Sequence, residues 1–226
     1  MKYWLVVFAL VAPVCAHAGV GDGVAAVVSY ESERLGADGV WKQTRMKERF
    51  YRQGDHVWVE RVLPPNAPAL PRDDHQHGHE RKGLETAARH ITRAAKGEAN
   101  LQFVMAREKT IVSVRKDDMP AVGFHGEWDS AYHIIKPSVI KSMRRTGQAA
   151  NAPDGVWYEK DTGSGISKIL WSEKLGLPLR IETRDKNGSA YNRITVETER
   201  FPGADSMPWK RLPPDYRVKE YSDLLD

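Results

Sequence analysis

The feature that most constrains this chain is a run of alternating segments and short turns between Val156 and Phe201. Leu179, Ile181 and Thr183 alternate with Arg180, Glu182 and Arg184, the period-2 pattern of a strand with one buried face. Asn187-Gly188 follows, the pair best suited to supply two positive-φ residues to a tight type I′ turn. From Tyr191 to Phe201 the alternation resumes, with Ile194 and Val196 on one side and Arg193, Thr195 and Glu197 on the other. Gly176 and Pro178 break the chain ahead of this hairpin, so Leu175–Pro178 is the turn from an earlier strand, Ile166–Glu173. That strand is paired in turn, through Asp161–Gly165, with Val156–Lys160. Four strands joined by short turns make an antiparallel meander.

Within this stretch Trp171-Ser172-Glu173, then Gly176-Leu177-Pro178-Leu179-Arg180, a strand, Asp185-Lys186-Asn187-Gly188 and another strand resemble a known hairpin. It is the repeated hairpin of the LolA-like periplasmic proteins. That superfamily holds the lipoprotein carrier LolA, its outer-membrane receptor LolB and the sensor-modulating RseB. The resemblance covers about a fifth of the chain. It implies a mainly β (α+β) fold, a strongly curved antiparallel sheet or incomplete β-barrel with two or more covering helices around an apolar cavity. It also implies a non-enzymatic carrier or chaperone for a lipid, a lipidated protein or another apolar ligand. No binding-site residue of those carriers transfers here, because the match lies in the hairpins.

Residues Met1–Ala18 read as a processing segment. Lys2 gives a positive start, Trp4–Val14 is apolar, and Ala16-His17-Ala18 is a small-x-small cleavage signal ahead of Gly19. The apolar run is shorter than the ~20 residues a membrane span needs. A lipoprotein signal needs a small residue directly before its cysteine, and Val14 precedes Cys15. The expectation is a signal peptide over 1–18, one half-barrel domain over 19–226, and release into the periplasm. Cleavage after Ala18 removes the only cysteine, which excludes disulfides, thiolate nucleophiles and Cys-based metal or haem sites from the mature chain. About 208 residues remain, enough for one all-β domain. The formal charge of +4 drops by one with Lys2, and no basic helical stripe occurs, so nucleic acid is not an expected partner.

Upstream of the meander, Val24–Glu33 alternates weakly as a first strand, and Leu35–Gly39 turns it into the charged strand Val40–Tyr51. Gln53-Gly54-Asp55 turns again into His56–Leu63. The pattern then stops. Pro64–Lys82 holds four prolines, Asp73-Asp74 and His75-Gln76-His77-Gly78-His79, a long loop of the kind that is functional or disordered. Leu84, Ala87, Ala88, Ile91 and Ala95 recur at spacings of three and four, which predicts a helix over Leu84–Ala95 ended by Gly97. Leu101–Ala106 and Thr110–Lys116 form a hairpin, Ala121–Trp128 a short strand, and Pro137–Arg144 a helix with proline at its start. Arg145–Gly155 is a polar loop, Pro202–Pro214 an extended connection, and Tyr216–Leu224 a last short strand that closes the wall.

His75, His77 and His79 are the sharpest chemical signal. Side chains at i, i+2 and i+4 of an extended segment share one face, so three imidazoles can converge on one ion. His90, on the predicted helix, and Asp73 or Asp74 then complete a zinc or copper shell. The alternative is a solvated, weakly pH-responsive loop. His56, His125 and His133 are expected to be hydrogen-bonded structural residues; Gly123 and Gly126 set His125 apart by pointing to close backbone approach. Asp129, Ser130 and His133 can be written as a triad, but such sets arise by chance in any chain of this size; Gly163-Ser164-Gly165 lacks the spacing of a nucleophile elbow and sits in a hairpin turn rather than ahead of a helix, so no enzyme activity is expected.

The ligand-cavity candidates are aromatic: Trp41, Trp58, Phe103, Trp128, Trp157 and Trp171, spread over successive strands. They either fill the interior of an incomplete barrel or line a pocket in it. Two functions follow. One is a lipid or lipidated-protein carrier that requires no cofactor, with an envelope or membrane-protein partner. The other is a periplasmic zinc- or copper-binding, or stress-sensing, protein that uses the His-rich loop.

Overall fold

The computed structural model describes residues 23–63 and 83–225. Its strands are β1 (Val24–Leu35), β2 (Trp41–Gln53), β3 (His56–Arg61), β4 (Ala88–Arg93), β5 (Ala99–Met105) and β6 (Thr110–Val114). They continue with β7 (Arg144–Arg145), β8 (Gly155–Asp161), β9 (Gly165–Ser172), β10 (Leu177–Asp185), β11 (Ala190–Glu199) and β12 (Arg217–Glu220). All twelve lie in one sheet, in the order β12-β6-β5-β4-β3-β2-β1-β11-β10-β9-β8-β7. Two meanders, β1–β6 and β7–β11, are therefore joined where β11 pairs with β1. The sheet is not closed: β7 and β12 are its ends. This is the mainly β, curved and incomplete wall that the hairpins imply.

Register decides which face is inside. Val28 lies opposite Glu48 on β2 and Val196 on β11. Phe50 lies opposite Val59, Val57 opposite Ile91, Ile91 opposite Leu101, and Leu101 opposite Val114. These rows form the main core, onto which Met119, Trp128 and Tyr221 pack. In the second meander Ile169 faces Ile181 and Tyr158, and Ile140 and Met143 close on Ile169 and Trp171. Among the described residues the covering elements are two short α-helices, α1 (Trp128–His133) and α2 (Pro137–Lys141). Proline opens α2, where its missing N–H leaves no helical bond unmade. The helix stops at Lys141 rather than Arg144 because Arg144 and Arg145 pair with Glu159 and Tyr158.

The largest correction concerns Leu84–Ala95. Leu84 alone is α-helical there, Ala95 opens a 3-10 turn over Ala95–Gly97, and Ala88–Arg93 is strand β4 between β3 and β5. Ala87, Ala88, Ile91 and Ala95 fit a helical spacing, but a helix would strand the facing edges of β3 and β5 without backbone partners. The ladder overrides the propensity. His90 therefore sits on a strand, not on a helix.

Ala121–Trp128 is likewise not a strand. Residues Lys116–Val122 form a 3-10 helix, Gly123 and Gly126 take φ of 72° and 70°, and Trp128 begins α1. Positive φ is what both glycines supply there. Of the two, only Gly126 is also closely approached: a Cβ on it would meet Met119 Sδ at 3.3 Å.

Two smaller differences concern turns and edges. The β10–β11 turn has Gly188 alone at positive φ (72°), with Gly188 N–H donating to Asp185 O at 3.1 Å, so it is not the paired-positive type I′ form. The last strand, β12, adds to β6 in parallel at the sheet's edge and does not close it; Tyr221–Leu224 is a 3-10 turn.

Candidate functional site

Residues 123–134 cross the concave face of β1–β4 and leave a cavity of about 240 Å³ beneath them. Its floor is apolar, from Val28, Phe50, Val59 and Ile91, and its roof includes Phe124, Ala131 and Ile134. Ile134 ends α1 at φ 65°. A β-branched residue there is strained, and the turn it makes brings its side chain to the cavity.

Arg52 is what holds the roof in place. It is buried at the inward position beside Phe50 on β2, and its Nη1 donates to Tyr132 O at 2.7 Å and to Gly176 O at 3.4 Å. Nη2 donates to Leu175 O, and the guanidinium lies 4.4 Å from the Tyr132 ring centroid. His133 Nδ1 donates to the same Gly176 O at 2.7 Å. One side chain of the first meander thus ties α1 and the β9–β10 turn together. Burial, more than any charge, holds the His133 pKa low.

The cavity also has a polar corner. Glu48, only 9% exposed, accepts from Arg89 Nη2 through Oε1 at 2.7 Å. Tyr30 stands beside it; burial first, and the Glu48 charge second, push the phenol pKa up. A hydrogen bond between that hydroxyl and the Glu48 carboxylate adds to the rise. Across the opening, Ser130 Oγ donates to Glu127 Oε2 at 3.1 Å, and Lys136 pairs with the same carboxylate and holds its pKa down. His125 lines this side and is exposed. Beyond Tyr30, a second depression of about 350 Å³ continues along β2, β1 and β11, bordered by Ser32, Thr44, Met46, Asn192 and Ile194.

The sequence candidates fall elsewhere. Phe103 and Trp128 belong to the main core, and Trp171 to the smaller one under α2. Trp157 is buried, Trp58 is buried with its Nε1 donating to Glu60 at 3.0 Å, and Trp41 is 54% exposed. None of the six borders either depression. Ser130 and His133 have the separate partners given above and form no triad.

Of the proposed metal ligands, His75, His77 and His79 lie outside the described residues, as do Asp73, Asp74 and the segment Met1–Ala18 that the sequence suggests as a signal peptide. His90 is on the convex face, where its Nε2 lies 3.1 Å from His56 Nδ1 and Trp209 stacks over both rings. Burial first, then the neighbouring His56, push its pKa down to about 4. Among the described residues no three ligand-type side chains gather as a metal would need.

No protein-family profile matches the chain, and no curated protein matches it. Solved structures do. A conserved protein of Thermus thermophilus is similar at 14% identity and a TM-score of 0.43, over 87% of this chain and 90% of that one. A putative outer membrane lipoprotein-sorting protein domain from Vibrio parahaemolyticus is similar at 10% identity and 0.35, over 83% and 91%. A LolA superfamily protein of Nitrosomonas europaea is similar at 8% identity and 0.35, over 87% and 92%.

Proposed function

We propose that this protein is an exported, non-enzymatic binding protein that holds the apolar part of a lipid or lipidated protein against its concave face. The observation that carries the proposal is the cavity between β1–β4 and residues 123–134, whose floor is built of Val28, Phe50, Val59 and Ile91, with polar groups at the Glu48 corner and across the opening at Glu127 and Ser130. Its volume, about 240 Å³, is below the roughly 300–1,000 Å³ of drug-sized sites. It suits a segment of one acyl chain rather than a whole lipid. Burying about six methylenes gives roughly 5 kcal/mol, at about 0.8 kcal/mol each. That alone corresponds to a Kd of about 0.2 mM. The depression beyond Tyr30 is the direction in which further contact would lower it. The leader over Met1–Ala18 supports a place in the periplasm, and a lipid cargo implies an envelope partner that delivers or receives it.

The test is displacement of an environment-sensitive fluorescent probe by monoacyl amphiphiles of increasing chain length. Saturable displacement, with affinity rising per methylene until the cavity is filled, is the expected result, together with a negative heat-capacity change. A native protein that binds no probe displaceably has a filled wall, and the proposal fails.

A further inference from the structure

An apolar side chain exposed on its own is ordinary; several at one place mark a contact surface. Of the large apolar side chains exposed among the described residues, Leu35 (39%), Val40 (56%) and Trp41 (54%) stand together at the β1–β2 tip. None of the three belongs to either core. Leu35 lies directly opposite Trp41, and the next pair along the hairpin, Arg34 opposite Lys42, faces the concave side. Both cations are exposed, and Asp38 in the turn reaches Lys42 at 3.5 Å. Glu33 is on the other face, bonded by Gln43 Nε2 at 2.9 Å. From Trp41 to Met46, β2 has no neighbour on its β3 side among the described residues, so this end of the hairpin is flanked by β11 alone.

We propose that the β1–β2 tip docks on a phospholipid bilayer, with Leu35, Val40 and Trp41 at head-group depth and Arg34 and Lys42 on lipid phosphates. Tryptophan is a residue of the membrane interface, and flanking arginine and lysine reach from apolar surroundings to phosphate. A specific protein interface takes about 800 Å² from each partner, more than three side chains at the end of a hairpin offer. A bilayer needs less area, but backbone groups that leave water must already be satisfied. The turn meets that condition. Gly36 N–H donates to Val40 O at 2.8 Å, Gly39 N–H to Gly36 O at 3.0 Å, and Val40 N–H to Asp38 Oδ1 at 3.1 Å. The open edge of β2 does not meet it, which limits the tip to the interface and keeps it out of the hydrocarbon. Behind the tip, the same two strands carry Ser32, Thr44, Tyr30 and Met46 along the second depression, then Val28 and Phe50 in the cavity floor. Docking there brings the inner face of the sheet into line with the bilayer.

The experiment is flotation of the mature chain, from Gly19 on, with phosphatidylcholine vesicles that carry a minor share of phosphatidylglycerol. The wild type should float, and bromine on the lipid chains should quench part of its tryptophan fluorescence. The double substitution Val40→Ser, Trp41→Ser should lower the partition coefficient at least about tenfold, since binding scales with the apolar area buried. Arg34→Gln with Lys42→Gln should lower it about fivefold for each cation. Val218→Ser, on the exposed edge strand β12, should change nothing. Wild-type protein that does not float overturns the proposal. So does equal flotation of the Val40→Ser, Trp41→Ser protein, an equal loss in Val218→Ser, or bromine quenching that survives in Trp41→Ser. Flotation only with membranes that keep their proteins makes the tip a protein contact and overturns it as well. The wild-type measurements keep the test decisive should a variant not fold. Probe displacement from the cavity is a separate readout, so failure here leaves the binding function proposed above standing.

Discussion

Over β8–β10 the concave face is covered by Ile140 and Met143, which close on Ile169 and Trp171 and leave a dry core. Over β1–β4 residues 123–134 cover an equally apolar floor and stand off from it. The charged side chains tell the two regions apart. Glu48, Arg52 and His90, the buried acidic and basic side chains among the described residues, all belong to β1–β4, whereas the buried polar residue of β8–β10 is Ser172, bonded to Asp154. A buried charge is kept only where its partners are arranged for it. Arg52 holds the roof through Nη1 and Nη2, and Glu48 pairs with Arg89 at the cavity's corner. The sheet is the same in both regions, so the cavity is made by how the cover is held.

The largest effect that would sharpen this contrast is in the dry region. Trp171→Ala removes a buried indole whose neighbours cannot all collapse inward, which should cost about 3–5 kcal/mol. In urea or guanidinium unfolding the midpoint should fall accordingly, while probe binding by the molecules that remain folded should be kept. A variant that loses binding at unchanged stability would mean that the two regions share one site.

How much of this is legible in the sequence differs by region too. Strands β8 to β11 of the second meander are readable one by one, because their alternation is clean and Gly163, Gly176 and Gly188 stand at their turns with positive φ, whereas the two residues of β7 are too few to alternate. The site is not readable in the same way. Trp58, Phe103, Trp128, Trp157 and Trp171 are large and apolar, and large apolar side chains go to the core; the cavity is bordered by smaller ones and by a carboxylate. Signals for Glu48 and Arg52 are present, since both share the parity of Phe50 on β2, which puts two charges on the inner face of that strand. Arg89 carries no such signal, because Ala87, Ala88, Ile91 and Ala95 around it have the spacing of a helical stripe. His125 stands out for its flanking glycines and does border the cavity, through positive φ at both of them.

A middle-sized effect tests whether acid sensitivity is confined to the β1–β6 meander. In the unfolded chain an imidazole takes up its proton near pH 6.5, whereas His90 in the folded protein stays neutral to about 4. Between those values the unfolded state binds more protons, so stability is highest above pH 6.5 and declines as pH falls toward 4. With solvent screening allowed for, the loss is about 2 kcal/mol, or ~4–8 °C of Tm in a chain of this size. His90→Phe keeps a ring under Trp209 and removes the titration, so melts at about pH 7.5 and about pH 4.5 should differ less than in the wild type. His133, also held low by burial, leaves a residual slope. An undiminished pH dependence in His90→Phe would move the acid-sensitive group elsewhere.

The smallest effect on stability would separate the two regions most directly. Ala131 is on α1 and borders the cavity roof, so Ala131→Phe places a ring in space that already exists. The usual overpacking cost of about 1–3 kcal/mol therefore does not arise, and the poorer helix propensity of phenylalanine takes away only about 0.5 kcal/mol. Some of that is returned by burying the ring. Stability should stay within about 1 kcal/mol of wild type, a Tm change under ~4 °C. Binding should respond in the opposite measure, because the ring occupies the volume meant for the acyl chain; displacement affinity should fall more than tenfold. The matching enlargement in the dry core, Ile169→Phe, has no space to enter and should cost the full overpacking penalty. If both enlargements destabilise alike, the floor of β1–β4 is as tightly covered as that of β8–β10, and the distinction between a hollow and a filled region is lost.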